Sequence, residues 1–371
     1  MGNLADALKA SDASLEADDD FDAINALCLE RGWSDGLPIV PPTAERVERM
    51  LEFCDHPLNE PIAKIAPRYG EATPLRLAAN AVMAGCRPEY FPLYMLAIEA
   101  MCEEPFNLYG VQATTHPCAP LAIFNGPVAR EIGLNAGHNA FGPGTPANAT
   151  LGRAIRLALL NIGGALPGAG DMSTFGAPSK FSYCVAENEE ANPWEPLHVE
   201  RGFPTDATTV TVIGAEPPHN VNDHESLSAE GILTTIAGTM AVTGSNDIFY
   251  DAQPVVVMGP EHAKTVADGG FSKNDAKRFL QKHATIPLGR FSKENIQRRF
   301  RTTLKDRYGD APLDTPVPAL RRAEDLIIVV IGGAGKHSAF IPTFGATRSV
   351  TRALKRRDGS LARSVTDFQS T

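Results

Sequence analysis

The sequence lacks several features that would assign it to a broad class of protein at once. No apolar run is long enough to span a bilayer, no signal peptide opens the chain, and Asp6 stands where a myristoylation signal needs serine or threonine. Positive charge is also scarce, because 34 lysines and arginines against 44 aspartates and glutamates give a net charge of −10. These absences predict a cytoplasmic protein whose partners are neither membranes nor nucleic acids.

Cysteine is sparse and has no ligand spacing. The six residues form no C-x-x-C pair, which predicts free, mostly buried thiols and no structural zinc site; they are Cys28, Cys54, Cys86, Cys102, Cys118 and Cys184. We assign no metal ligands, because His219, Asp223 and His224 are compatible with a metal but have no diagnostic spacing. Metal dependence is left open, and the absence of a nucleotide-binding motif leaves the cofactor unknown.

The chain does contain a strand-to-glycine pattern, and it uses this pattern four times. Each copy is a short apolar run that ends in glycine, where the backbone must turn sharply or approach another group closely. The copies are LAIFNGP (Leu121–Pro127), TVTVIGAEPPHN (Thr209–Asn220), PVVVMGP (Pro254–Pro260) and LIIVVIGGAGKHS (Leu326–Ser338). The pattern predicts an α/β fold with turns and helix N-termini at strand ends, where such proteins build their sites.

The four copies also pair along the chain. Gly126-Pro127 recurs as Gly259-Pro260, and the same spacing carries Gly137 onto Gly270. This predicts two similar α/β halves from a diverged tandem duplication, with a cleft between them; strand-glycine-helix units that recur by coincidence are the alternative. The expected organisation is an acidic lead-in (1–20), a first half with an N-terminal helical arm (21–222), a second half (223–355) and a mobile tail (356–371).

A glycine-rich loop before a strongly helical segment is the first candidate site, GHNAFGPGTPANATLGRAIR (Gly137–Arg156). Glycines free the backbone, and the N–H groups of a following helix attract an anion. An ordered loop with structural arginine pairs is the alternative. The candidate substrate-binding residues of this region, with one from the preceding strand end, are Asn125, His138, Asn139, Gly142, Gly144, Asn148 and Arg153.

A histidine near a thiol is the second candidate. His116 precedes Cys118 by two positions, so in an extended segment both side chains point the same way and the imidazole can activate the thiol. A small buried residue beside a structural imidazole is the alternative.

An acidic segment with one imidazole is the third candidate, within Lys180–Phe203. Carboxylates near a histidine supply general acid–base catalysis, which points to Glu187, Glu189 and His198, with Cys184 as a nucleophile. A solvated acidic loop is the alternative for the other glutamates of this segment.

The turn GGAGKHS after the most hydrophobic strand is the fourth candidate. It resembles a phosphate-binding loop but departs from it twice, because Val330 replaces the first glycine and His337 follows the lysine. Gly333, Lys336 and Ser338 are candidates to bind an anion, and His337 is a candidate base. A plain glycine turn is the alternative.

Longer stretches of the chain resemble a known group of proteins. ERGWSDGLPIVPPTAERVERML, NGPVAREIGLNAGHNAFGPGTPANATLGRAIRL and SYCVAENEEANPWEPLHVERGF are similar to the large bacterial proteins associated with the UGSC family of thiol or selenol proteins. The resemblance implies no secure reaction. The Sec/Cys-Gly-Ser-Cys element is absent here, so it implies that a separate small thiol or selenol protein would bring any redox group.

Together these candidates predict a cytoplasmic enzyme of lyase or hydrolase type. It would cleave a bond in a small anionic organic molecule by acid–base or thiol-assisted chemistry. The alternatives are an oxidoreductase component that works with the thiol or selenol partner, and a non-catalytic metabolite-binding protein. Apolar segments beyond the needs of one core leave room for a homo-oligomer.

Overall fold

The structure is a computed structural model that describes Leu15, Ala17 and the continuous segment Asp20–Gln369. The expected acidic lead-in therefore lies almost entirely outside the described residues. The described chain is a mixed α/β protein that divides into two compact units. The first lies within Met1–Glu187, Pro196–Gly214 and Ser349–Thr371, and the second comprises Asn188–Glu195 and Ala215–Arg348.

Half of the α-helices of the described residues begin after a residue whose side chain caps them. Thr43, for example, accepts a hydrogen bond from the Arg46 backbone N–H, as expected for an N-cap. The α-helices of the described residues are α1 Phe21–Glu30, α2 Ala44–Leu51, α3 Pro74–Ala84, α4 Phe91–Met101, α5 Leu108–Ala113, α6 Pro127–Glu131, α7 Pro146–Asn161, α8 Leu197–Glu200, α9 Ala229–Met240, α10 Asn246–Phe249, α11 Pro260–Asp268, α12 Lys273–His283, α13 Lys293–Asn295 and α14 Lys305–Tyr308. No helix among the described residues is both long enough and apolar enough to cross a membrane.

The strands are short, and several are wholly apolar, such as β7 and β10, whereas the central residues of β1 and β2 are charged. Those of the described residues are β1 Ala63–Ile65, β2 Gly70–Ala72, β3 Ala119–Asn125, β4 Cys184–Ala186, β5 Thr209–Ala215, β6 His219–Asn222, β7 Val255–Met258, β8 Thr285–Pro287, β9 Pro316–Pro318, β10 Ile327–Val330, β11 His337–Ile341 and β12 Val350–Ala353. The run Phe181–Glu187, expected to be a strand, forms one only over β4.

The first unit contains a four-stranded sheet in the order β12-β5-β3-β4. β12 runs antiparallel to β5, and β3 runs parallel to β4. Helix α4 has ten of its eleven residues buried, and each fully buried leucine, isoleucine or phenylalanine in such a helix contributes about 1.5–3 kcal/mol. A hairpin of β1 and β2 completes the strands of this unit.

The second unit contains a four-stranded sheet in the order β10-β7-β11-β6. β10 and β7 are parallel, whereas β11 runs antiparallel to both β7 and β6. Helices α9, α11 and α12 bury apolar side chains against this sheet, among them Ile232, Ile236, Val266 and Leu280. A separate two-stranded sheet pairs β8 with β9, which are antiparallel.

Each sheet places two of the four glycine-ended strands side by side. β5 neighbours β3 in the first unit, and β10 neighbours β7 in the second. The third partner differs, because β4 is parallel to β3 whereas β11 is antiparallel to β7. The tandem duplication therefore stays a prediction.

Two segments differ from their expected structure. The expected single helix over 292–307 is interrupted by a π-helix, Ile296–Thr303, in which Thr302 Oγ1 donates to the Gln297 carbonyl. The tail after residue 355 is not a loose extension, because Ala362, Val365 and Phe368 are buried. The apolar side chains are spaced along a segment that is otherwise polar, and they are buried in the core. The charged residues between them led to the prediction of a mobile tail.

Candidate functional site

The glycine-rich loop before α7 is folded on its own polar groups. Asn139 Nδ2 donates to the Pro143 carbonyl at 2.6 Å, and the Gly142 N–H donates to the Asn139 carbonyl at 2.8 Å. Asn148 accepts from the Asn135 N–H at 2.8 Å and donates to the Ala140 carbonyl at 3.2 Å. The loop thus uses these donors internally.

Arg153 binds a carboxylate of its own chain. Its Nε and Nη2 atoms each lie 2.8 Å from one oxygen of Asp35, and Nη2 also donates to the Leu37 and Pro38 carbonyls. Arg156, one turn further on, lies 3.4 Å from Asp171. Both arginines of this apolar helix therefore have carboxylate partners, which is the geometry of structural arginine pairs.

The loop and the Cys184 thiol line one cavity of about 340 Å³ in the first unit. Gly142 and Asn148 are on its wall, but much of the remaining lining is apolar, including Phe141 and Phe181. Burial raises the pKa of the Cys184 thiol well above its ordinary value. The thiol is therefore protonated at neutral pH and is a poor nucleophile.

The buried Glu187 carboxylate joins the ends of two strands to a helix. Its Oε2 accepts from Asn125 Nδ2 at 2.7 Å and from the Leu197 N–H at 2.8 Å. His198 is fully buried as well, but its Nε2 faces the Thr205 carbonyl at 3.3 Å. The two side chains thus have separate polar partners, and Glu189 belongs to the second unit.

His116 and Cys118 are also held by local contacts. Cys118 is 1% exposed, and its Sγ lies 3.8 Å from the Val111 carbonyl. The backbone N–H of His116 donates to Thr114 Oγ1 at 3.1 Å. These contacts orient the segment before β3.

In the second unit, adjacent residues of strand β11 differ in exposure. His337 is exposed and Ser338 is buried, as the alternation of side chains along a strand requires. Ser338 Oγ lies 2.8 Å from Nδ1 of the buried His262, in the first turn of α11. The Gly259 N–H, at the start of the same helix, points at Ser338 Oγ over 3.3 Å.

The other ring nitrogen of His262 fixes its tautomer. Nε2 lies 3.0 Å from the Asp223 backbone carbonyl, which can only accept a hydrogen bond. A neutral His262 therefore carries its proton on Nε2 and leaves the Nδ1 lone pair for the Ser338 hydroxyl. Hydroxyl, imidazole and carbonyl form one hydrogen-bonded chain. This is the order in which an imidazole, oriented by one oxygen, can take a proton from a hydroxyl group.

The turn before β11 is held by two charged side chains. Gly332 and Gly335 have φ of 119° and 138°, which only glycine adopts without strain. The Gly335 N–H donates to Glu261 Oε1 at 2.7 Å, and Lys336 Nζ donates to the His224 carbonyl at 2.8 Å. The predicted candidates Lys336, His337 and Ser338 thus lie along the same turn and strand start.

The exposed His337 has two polar neighbours. Its Nδ1 is 2.9 Å from Asn220 Oδ1, and its Nε2 is 3.3 Å from Nε2 of His224. Asn220 belongs to β6, which pairs with β11, and His224 follows that strand. The sheet therefore brings together residues that are more than 110 positions apart in sequence.

Sequence reasoning missed His262. It lies three residues after Gly259, in a helix whose start the Gly-Pro dipeptide predicted. A histidine in the first turn of a helix that follows a strand was a usable signal. Its partner Ser338, 76 positions away, was not deducible from that signal.

The comparisons with known proteins add no assignment to this geometry. No protein-family model matches the chain, and no curated protein matches its sequence.

Proposed function

We propose that the chain is an enzyme of hydrolase type that cleaves a bond in a small anionic organic molecule, with its reactive centre at Ser338 and His262. The hydrogen-bonded chain from Ser338 through His262 to the Asp223 carbonyl carries this proposal. It supplies a hydroxyl and a base within 2.8 Å, with the base already in the tautomer that accepts a proton.

The proposed reaction follows from these positions. Ser338 Oγ bonds to the electrophilic carbonyl carbon of the substrate while its proton passes to His262 Nδ1. That proton then moves to the leaving group as the scissile bond breaks, and water releases the acyl group by the reverse route. The Gly259 N–H points at Ser338 Oγ over 3.3 Å and so helps to hold the hydroxyl oxygen in place beside His262 Nδ1.

The anionic character of the substrate is supported by Lys336. Lys336 is half-buried two residues before Ser338, and among the residues that the structure describes its ammonium group is held by a backbone carbonyl and by no carboxylate. A substrate carboxylate near this group gains a charge-assisted contact.

Acid–base chemistry is favoured over thiol chemistry by the state of the cysteines. Burial raises the pKa of Cys54 to about 11 and the pKa of both Cys86 and Cys102 to about 12. Such thiols hold little thiolate at neutral pH. Kinship with the UGSC-associated proteins remains a proposal, and a thiol or selenol partner depends on that kinship alone.

A fluorophosphonate probe tests the serine directly, because it phosphonylates activated hydroxyl groups with loss of fluoride. We expect mass spectrometry to locate the adduct on Ser338 in the folded chain. Ser338→Ala should abolish labelling and His262→Gln should slow it by about 100-fold or more. Ser360→Ala, a change at an exposed serine, is the matched control, and this variant should be labelled at Ser338 as the wild type is.

The substrate class has its own test. Small esters with and without a carboxylate are compared, and Lys336→Met should lower kcat/KM for the anionic ester selectively. A folded wild-type chain that is unlabelled at Ser338, or a His262→Gln variant that labels at the wild-type rate, overturns the proposal. Circular dichroism and thermal melting establish that each variant is folded.

A further inference from the structure

The two exposed imidazoles beside the buried chain have a geometry of their own. The Nε2 atoms of His224 and His337 are 3.3 Å apart, and the ring centroids are 5.0 Å apart with the planes at 82°. The two rings are therefore nearly perpendicular and approach each other at their Nε2 atoms.

Asn220 sets the tautomer of one ring. Its Oδ1 lies 2.9 Å from His337 Nδ1, so a neutral His337 donates from Nδ1 and keeps the lone pair on Nε2. This is the arrangement in which a carbonyl oxygen orients an imidazole for metal binding through its other nitrogen.

The separation of the two Nε2 atoms fits one bridging ion. Zinc binds histidine nitrogen at about 2.0–2.1 Å, and two such bonds at the tetrahedral angle place the nitrogens about 3.3–3.4 Å apart. We propose that His224 and His337 bind a divalent transition metal, zinc first, through their Nε2 atoms, with Asn220 as the residue that positions His337.

The backbone of each histidine is held in place by its neighbours. His337 begins β11 in register with Asn222 of β6, so the sheet fixes its position against Asn220. The backbone of His224 is held by Lys336 Nζ, which donates to its carbonyl at 2.8 Å. These contacts therefore fix the backbone positions from which the two imidazoles approach each other.

The coordination sphere is left partly open. Among the residues that the structure describes, no group of three or more histidine, cysteine, aspartate or glutamate side chains is placed to hold a metal. Two protein nitrogens leave the other tetrahedral positions to water or to a small anion. This inference is independent of the reaction proposed at Ser338, because neither histidine takes part in that chain of hydrogen bonds.

The test is metal binding to the intact chain, stripped with a chelator and titrated with Co²⁺ and then with Zn²⁺. We expect one equivalent of Co²⁺ to give the visible absorption of a tetrahedral ion, and Zn²⁺ to displace it. Calorimetry then measures the affinity for Zn²⁺. His224→Ala and His337→Ala should each remove binding, and Asn220→Ala should weaken it by about 10- to 100-fold.

His219→Ala is the matched control. His219 is also exposed on β6, but it is adjacent to Asn220 and so lies on the opposite face of the strand. The His219→Ala variant should therefore bind the metal as the wild type does. No binding by the wild type, or unchanged binding by folded His337→Ala, overturns the inference; loss of binding in His219→Ala alone assigns the metal elsewhere and also overturns it. None of these readouts depends on activity, so they are separate from the labelling of Ser338.

Discussion

Arg153 and Asp35, which are 118 positions apart, are joined by two hydrogen bonds of 2.8 Å between a guanidinium edge and a carboxylate. The side chains are only 15% and 3% exposed. The pair links helix α7 to the extended segment DGLPIVPP of the same unit. A residue that the sequence suggested as a substrate ligand thus has a structural partner.

Replacing this arginine by lysine should destabilise the first unit. Arg153→Lys keeps the charge but loses the two parallel bonds and the contacts to the Leu37 and Pro38 carbonyls. We expect the free energy of unfolding to fall by about 1–3 kcal/mol in urea titrations. Arg76→Lys is the control, because the side chain of that exposed arginine donates, among the described residues, only to the Glu71 carbonyl at 3.1 Å. Equal losses in the two variants would contradict a structural role for the bidentate pair.

A buried acid in the second unit should make stability depend on pH. Asp247 is 3% exposed, and burial raises its pKa to about 7, against hydrogen bonds from Thr343 and Ser245 that lower it. The unfolded carboxyl group titrates near its ordinary value of about 3.9. Between these values the folded state binds a proton that the unfolded state does not. The free energy of unfolding should therefore fall as pH rises from about 4 to about 7, and this contribution should be level above that.

Asp247→Asn isolates this contribution, because the amide stays neutral at every pH. Urea titrations of both proteins at about pH 5 and about pH 8 measure it, with each pH unit inside the window worth at most about 1.4 kcal/mol. The free energy of unfolding of Asp247→Asn should therefore increase, relative to that of the wild type, as pH rises. A stability difference that is the same at both pH values would show that Asp247 is ionised throughout.

Two glycines of the second unit should respond oppositely to alanine. A Cβ at Gly259 would lie 2.1 Å from the His337 carbonyl oxygen, whereas one at Gly238 would meet nothing within 4 Å. Gly259→Ala should therefore displace β11 from α11 and lower the free energy of unfolding by about 1–3 kcal/mol. Gly238 lies inside helix α9, so Gly238→Ala should raise it by about 0.5–1 kcal/mol. Thermal unfolding measures both, and a neutral Gly259→Ala would mean that the strand adapts without loss.

Helices were the readable part of this sequence. The N-cap Thr43 and the segments that became α9, α11 and α12 carry their own start and stop signals, which act over a few residues. Strand lengths and the π-helix were less readable, because they depend on pairing and packing with distant residues. The buried tail was missed because its few apolar residues are dispersed among charged ones.

The candidate site was readable only as separate pieces. The glycine turn and its Lys336, His337 and Ser338 stood out by composition, and His224 by its ionisable neighbours. Their grouping depends on the antiparallel pairing of β6 with β11, which no local pattern specifies. His262 could be assigned to the site only from the structure, in which α11 and β11 bring His262 and Ser338 together.

The course of the chain through the two units has a consequence for synthesis. The first unit is made of three separate stretches, and its edge strand β12 comes from the last of them, whereas all strands of the sheet in the second unit lie between His219 and Ile341. During translation the second sheet can therefore close while the first still waits for a strand. A chain that ended after residue 348 would have the second sheet complete, but β5 would replace β12 as an edge strand of the first sheet. The unpaired backbone groups of β5 could then pair with another chain and lead to aggregation.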